Sequence, residues 1–273
     1  AARAVYISEV ARLIDHLTQS TDMVSVSPAL QESLGNDSAL ASRFPGEPYR
    51  QKMAQIYDRL ERDAYPSGDE LLHDLLLVRD SLRDNRGQHV ADGMLRRLIR
   101  KIRLFGLHLV PLDIREDARL HRAALAEIYR SYDLCEDYLA LPEEEKQRLL
   151  TREIHTRRPL FPLEPRFSED TNRVILTWRM IAEAHRRFGK ACIDSVIASM
   201  SQYPSDVLAM LMMATEVGIE NDVDIVPLFE TIDDLQNAPR VMTVLFENDA
   251  YRSHLARRGN RQQIMLGYSD SSK

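Results

Sequence analysis

The sequence predicts a mainly α chain in which a helical N-terminal part gives way to parallel β strands. Three observations predict it. Apolar residues recur at spacings of three and four through the first hundred positions. Four short apolar segments then appear at residues 107–114, 195–200, 224–230 and 263–269, three of them leading into a helical stretch. Only 10 glycines and 12 prolines occur among 273 residues, too few for a loop-rich or all-β fold.

The first stripe is Val5, Val10, Leu13, Ile14 and Leu17. A looser stretch rich in Ser, Asp, Pro and Gly follows over residues 25–48. Pro48 suits the first turn of a new helix, which turns Met53, Ile56, Tyr57 and Leu60 inward. Ser67 with Glu70 spells a helix start ahead of Leu71, Leu72 and Leu75. A further helix over 90–104 buries Leu95, Leu98 and Ile102; its arginines read as a solvated face. Beyond the first predicted strand, helices are expected from Asp117, over 142–155 and 170–188, and from Pro204 and Ile232. The proline-rich stretch 159–167 reads as a loop, and Trp178 reads as core. His108 falls inside the first predicted strand, where packing or a hydrogen bond is expected of it.

Composition excludes several classes of function. A formal net charge of −6 leaves no broad basic surface for nucleic acid. Charged residues interrupt every apolar run before membrane-spanning length. Cys135 and Cys192 fit neither a metal spacing nor a disulfide scaffold, so a reducing, cytoplasmic setting is expected. The chain opens on a helical pattern without Met, which reads as the interior of a longer protein.

Charged residues gather where three of the strands end: Arg115 after the first, Glu230 after the third, and Asp270 with Lys273 after the fourth. In a parallel α/β barrel the βα loops open at that end, and catalytic groups collect there. Carboxylates, a guanidinium and an ammonium at one mouth suit a phosphorylated anion held by a hard divalent cation. Any single charged residue ending a strand is more often a turn residue than a ligand. Asp233 and Asp234 read as caps of the helix from Ile232 or as solvent-facing residues.

The wording of the segments adds to their spacing. FGLHLVPLDIRED, YPSDVLAMLMMA, VPLFETIDDL and MLGYSDSSK, in that order, resemble stretches of the phosphoenolpyruvate carboxylase family. The resemblance implies a helical region over 1–104 followed by an incomplete, TIM-type α/β barrel over 105–273. It implies that Glu230 and Asp270 hold Mg²⁺ or Mn²⁺, and that Arg115 grips the phosphate of phosphoenolpyruvate. Lys273 would lie toward bicarbonate, and Leu228 and Met265 would line the pocket for the substrate's methylene. Without the resemblance, Leu228 and Met265 read as core. The family's histidine segment of TAHPTE type and glycine-rich loop of HGRGG type are not in this sequence. An isolated chain is therefore expected to be inactive, and the full-length enzyme to be a homo-oligomer, a tetramer by the same resemblance. Two other readings stay open: another metal-dependent barrel acting on pyruvate or its enolate, and a helical scaffold or regulatory binding module that keeps a barrel segment.

Overall fold

A computed structural model describes residues 2–267. Two compact units emerge: one from the residues up to 110 together with 187–189, the other from 111–186 and from 190 onward.

The first unit is helical: α1 (Ala2–His16), α2 (Pro28–Leu34), α3 (Ser38–Arg43), α4 (Pro48–Glu61), α5 (Gly68–Asp84) and α6 (Arg96–Phe105). Helix α1 buries Ala2, Tyr6, Val10 and Leu13, one residue per turn, and Leu17 continues the stripe. Val5, expected inward, is 48% exposed because Tyr6 takes its place on the buried face. Pro48 opens α4, and the Ser67 side chain accepts from the Glu70 amide to start α5. The loose stretch before Pro48 contains two short helices, each with a side-chain cap, from Ser27 and from Asp37. The helix expected over 90–104 is broken at Gly93 (φ −87°, ψ −121°), and α6 starts three residues later.

The first predicted strand is displaced. Residues 106–110 form turns rather than a strand, with Gly106 at φ 51° and Leu109 at φ 74°. The alternating apolar pattern of 107–114 looks like a strand. However, left-handed Leu109 ends any extended run, and Pro111 has no amide to pair. Leu109, Val110 and Leu112 are all exposed. His108 therefore sits in a turn, its ring against Gly106: a Cβ there would stand 2.8 Å from its Cε1. Burial pushes the His108 pKa down.

The second unit is a parallel sheet wrapped by helices. Its strands are β1 (Asp113–Asp117), β2 (Ser195–Ser199), β3 (Asp224–Phe229) and β4 (Met265–Leu266), in spatial order β1-β2-β3-β4. Its helices are α7 (Ala118–Ser131), α8 (Glu143–Thr156), α9 (Glu169–Phe188, whose last two residues belong to the first unit), α10 (Pro204–Glu216), α11 (Ile232–Glu247) and α12 (Asp249–Arg257). Adjacent strands are all parallel, and helices fill the crossovers, as βα units require.

Period-two alternation gives the sheet two apolar faces. Val196, Ala198, Ile225 and Phe229 pack into the large core with α10, whose residues Pro204 through Ala214 are all buried. Ile197, Val226 and Leu228 form a smaller cluster on the opposite face, with Met265 at its edge. Both faces being covered explains why β2 and β3 are buried at every position. Trp178 is buried in the large core as expected. Among the described residues, no helix is long and apolar enough to cross a membrane.

Candidate active site

The site is built at the end of the sheet where the strands hand over to their helices. The pairings Arg115↔Ile197 and Ile197↔Val226 place Arg115 in the row of residues on the smaller apolar face. Arg115 lies inside β1 rather than after it, a consequence of the displaced strand. Its long side chain is 54% exposed and reaches the carboxylate of Glu230, with which it forms an ion pair.

Glu230 follows β3 directly, and its position is fixed by the start of α11. Thr231 caps that helix, accepting from the Asp234 amide at 3.1 Å. In return the Asp234 carboxylate accepts from the Thr231 amide at 3.0 Å and the Glu230 amide at 3.4 Å. This reciprocal cap confirms the capping role expected of Asp234. The Glu230 side chain is only 12% exposed; besides Arg115, it accepts from the Met200 amide at 3.4 Å. Met200 sits just past β2 at φ 55°, an uncommon conformation for a long side chain.

Leu228 and Met265 are direct partners in the β3–β4 register and lie beside this pair. Leu228 is 1% exposed and belongs to the apolar cluster; Met265 is half-buried at its edge. They are core and candidate pocket wall at once. Asp113, which shares a strand face with Arg115, accepts from the Ser195 hydroxyl at 2.7 Å and lies toward the other end of the sheet. Asp270 and Lys273 lie outside the described residues.

Sequence reasoning missed two contributors. Met200 acts through its backbone amide, which side-chain type does not reveal. Gly267 donates from its amide to the Phe229 carbonyl at 2.9 Å and passes close against Glu230. Gly267 stands within the MLGYSDSSK stretch, which is the sequence signal for it.

The donor chemistry suits a hard cation in part. The carboxylate of Glu230 offers oxygen donors, and a guanidinium already rests against them. Among the described residues, no group of three or more His, Cys, Asp or Glu is disposed to hold a metal. Mg²⁺ keeps several waters and needs only one or two protein carboxylates, so Glu230 fits as one such ligand.

Comparison with known proteins decides the lineage. The family model for phosphoenolpyruvate carboxylase matches residues 1–273. The chain belongs to the phosphoenolpyruvate carboxylase family. A phosphoenolpyruvate carboxylase of Roseiflexus castenholzii is 39% identical over 301 aligned residues, covering 98% of this chain and 32% of the relative. Phosphoenolpyruvate carboxylases of a Synechococcus strain and of Aromatoleum aromaticum are 36% and 35% identical, again over 98% of this chain. The chain spans about a third of the length of the curated phosphoenolpyruvate carboxylases it matches.

Proposed function

We propose that this chain supplies part of the active site of a phosphoenolpyruvate carboxylase, which joins bicarbonate to phosphoenolpyruvate and yields oxaloacetate and phosphate. One observation carries the reading: Arg115 and Glu230, 115 positions apart, meet beside Leu228 and Met265 where the parallel strands end. That is where a parallel α/β barrel holds its catalytic groups, and a TIM-type barrel completed by the rest of the polypeptide is part of the proposal.

In this reading Arg115 grips the substrate phosphate; a guanidinium offers planar, paired N–H donors to phosphate oxygens. Bicarbonate attacks phosphorus, giving carboxyphosphate and the enolate of pyruvate; carbon dioxide from the former then joins the enolate carbon. Glu230 with Asp270 holds Mg²⁺ or Mn²⁺, which supplies Lewis-acid stabilisation of developing oxyanion charge. Leu228 and Met265 form a dry wall for the methylene carbon, which limits protonation of the enolate by water. Lys273 lies toward bicarbonate. The charge bookkeeping is consistent: the Arg115–Glu230 pair neutralises both groups without ligands, and a cation with an anionic phosphate would replace each partner.

The full-length enzyme would act in the cytoplasm as a homo-oligomer, a tetramer by family resemblance, with no nucleic-acid or membrane partner. The experiment is a pair of substitutions in the full-length polypeptide. Asp270→Asn should raise the Mg²⁺ requirement, and Lys273→Ala should impair use of bicarbonate. Unchanged Mg²⁺ and bicarbonate dependence in the two variants would overturn these assignments.

A further inference from the structure

Glu230 owes its place in part to Gly267 and Asp234, which present no side chain to a substrate. Gly267 runs past it so closely that a Cβ on Gly267 would stand 2.9 Å from the Cα of Glu230 and 3.3 Å from both its Cβ and Cγ. Real Cβ atoms essentially never approach a backbone carbon at the first distance, so a side chain there must push the β3 end and Glu230 apart. The glycine is not needed for its dihedral angles, since Gly267 is not among the positive-φ glycines. It is needed for the close approach alone. Asp234 in turn holds the Glu230 and Thr231 amides, at 3.4 and 3.0 Å, and so fixes the direction in which the chain leaves β3.

We infer that Gly267 and Asp234 are positioning residues for the Glu230 carboxylate, setting where it meets a divalent cation. Neither supplies an atom to the cation. This rests on the reading of Glu230 as a metal ligand. Residues around a metal site matter because they hold the donor in a preset direction, and their loss commonly weakens binding about tenfold to a hundredfold. A change in the direction of the Cα–Cβ bond moves the carboxylate further than it moves Cβ, because the displacement grows with distance along the side chain.

The test is direct Mn²⁺ binding to the full-length polypeptide without substrate, followed by electron paramagnetic resonance of free Mn²⁺. Folding of each variant is checked by circular dichroism and thermal melting. Gly267→Ala should weaken Mn²⁺ binding about tenfold or more. Asp234→Ala should weaken it as well, whereas Asp234→Asn, which keeps an acceptor oxygen and loses the charge, should stay nearer the unaltered protein. Gly259→Ala is the structural control. Gly259 lies in the same unit at φ 73° with nothing within 4 Å of the added Cβ, so its substitution strains the fold but should leave Mn²⁺ affinity unchanged. Glu230→Gln separates the two levels. If it leaves Mn²⁺ affinity intact, the metal reading itself fails. If Glu230→Gln weakens binding while folded Gly267→Ala and Asp234→Ala both bind as tightly as the parent, the positioning inference is overturned. Should Gly267→Ala not fold, the Asp234 pair decides: equal Mn²⁺ affinities for Ala and Asn would overturn the inference.

Discussion

At the scale of single residues, the buried histidine His121 is a sensitive reporter of the second unit. Its ring is fully buried, with Nδ1 against the Asp117 carbonyl at 3.1 Å and Nε2 accepting from the Trp178 indole N–H at 2.9 Å. Since Nε2 accepts, the proton of the neutral ring lies on Nδ1. Burial pushes the His121 pKa down to about 4, only partly offset by Asp117. The unfolded chain would take up a proton near the ordinary histidine pKa of about 6.5, the folded chain only near 4. Stability from this residue is thus complete above about pH 6.5 and drains away as pH falls toward 4, by about 3 kcal/mol in total. Urea denaturation at pH 7 and pH 4.5, followed by the single tryptophan Trp178, should show this fall, and His121→Gln should shrink it. A pH dependence the same in both proteins would contradict the assignment. Removing the indole donor by Trp178→Phe leaves Nε2 unpartnered and should cost about 1–3 kcal/mol, read by urea denaturation followed by far-UV circular dichroism because the variant has no tryptophan.

At the scale of elements, most of what the sequence offered was helix punctuation, and most of it was read correctly. Pro48, Ser67, Asp117 and Pro204 stand at helix starts because each supplies a cap or a fixed φ where backbone amides lack partners. Ser67→Ala removes the acceptor for the Glu70 amide and should cost about 1 kcal/mol by thermal or urea denaturation. A change near zero would mean that water replaces the serine without loss. The failure was at 107–114. Alternation in LHLVPLDI is a real pattern, but pairing with β2 begins only at Asp113, opposite Ser195. Which residues of an apolar run enter a sheet is set by the partner strand, and the partner is 82 positions away. The break at Gly93 and the short helices before Pro48 were missed for a related reason: tertiary packing stabilises pieces too short to show a period of their own.

For the whole molecule, Arg115 and Glu230 were legible in the sequence as charged residues near strands. Their mutual geometry was not. The meeting of Arg115 with Glu230 needs the parallel register of three strands, and the roles of Met200 and Gly267 lie in backbone geometry that residue type does not encode. The chain covers about a third of its curated relatives, and groups that act as one catalytic unit lose far more than their share when separated. The 273-residue chain alone should therefore form no measurable oxaloacetate from phosphoenolpyruvate and bicarbonate with Mg²⁺. Turnover near that of an intact enzyme would show that the remaining two thirds contribute little chemistry. The most direct test of the central claim is oxaloacetate formation by the full-length polypeptide with Arg115→Ala, measured against phosphoenolpyruvate concentration. Losing a charge-assisted grip on phosphate costs about 1.5–3 kcal/mol, so half-saturation should rise roughly tenfold to a hundredfold. A phosphoenolpyruvate dependence and turnover identical to the unaltered enzyme would contradict the account.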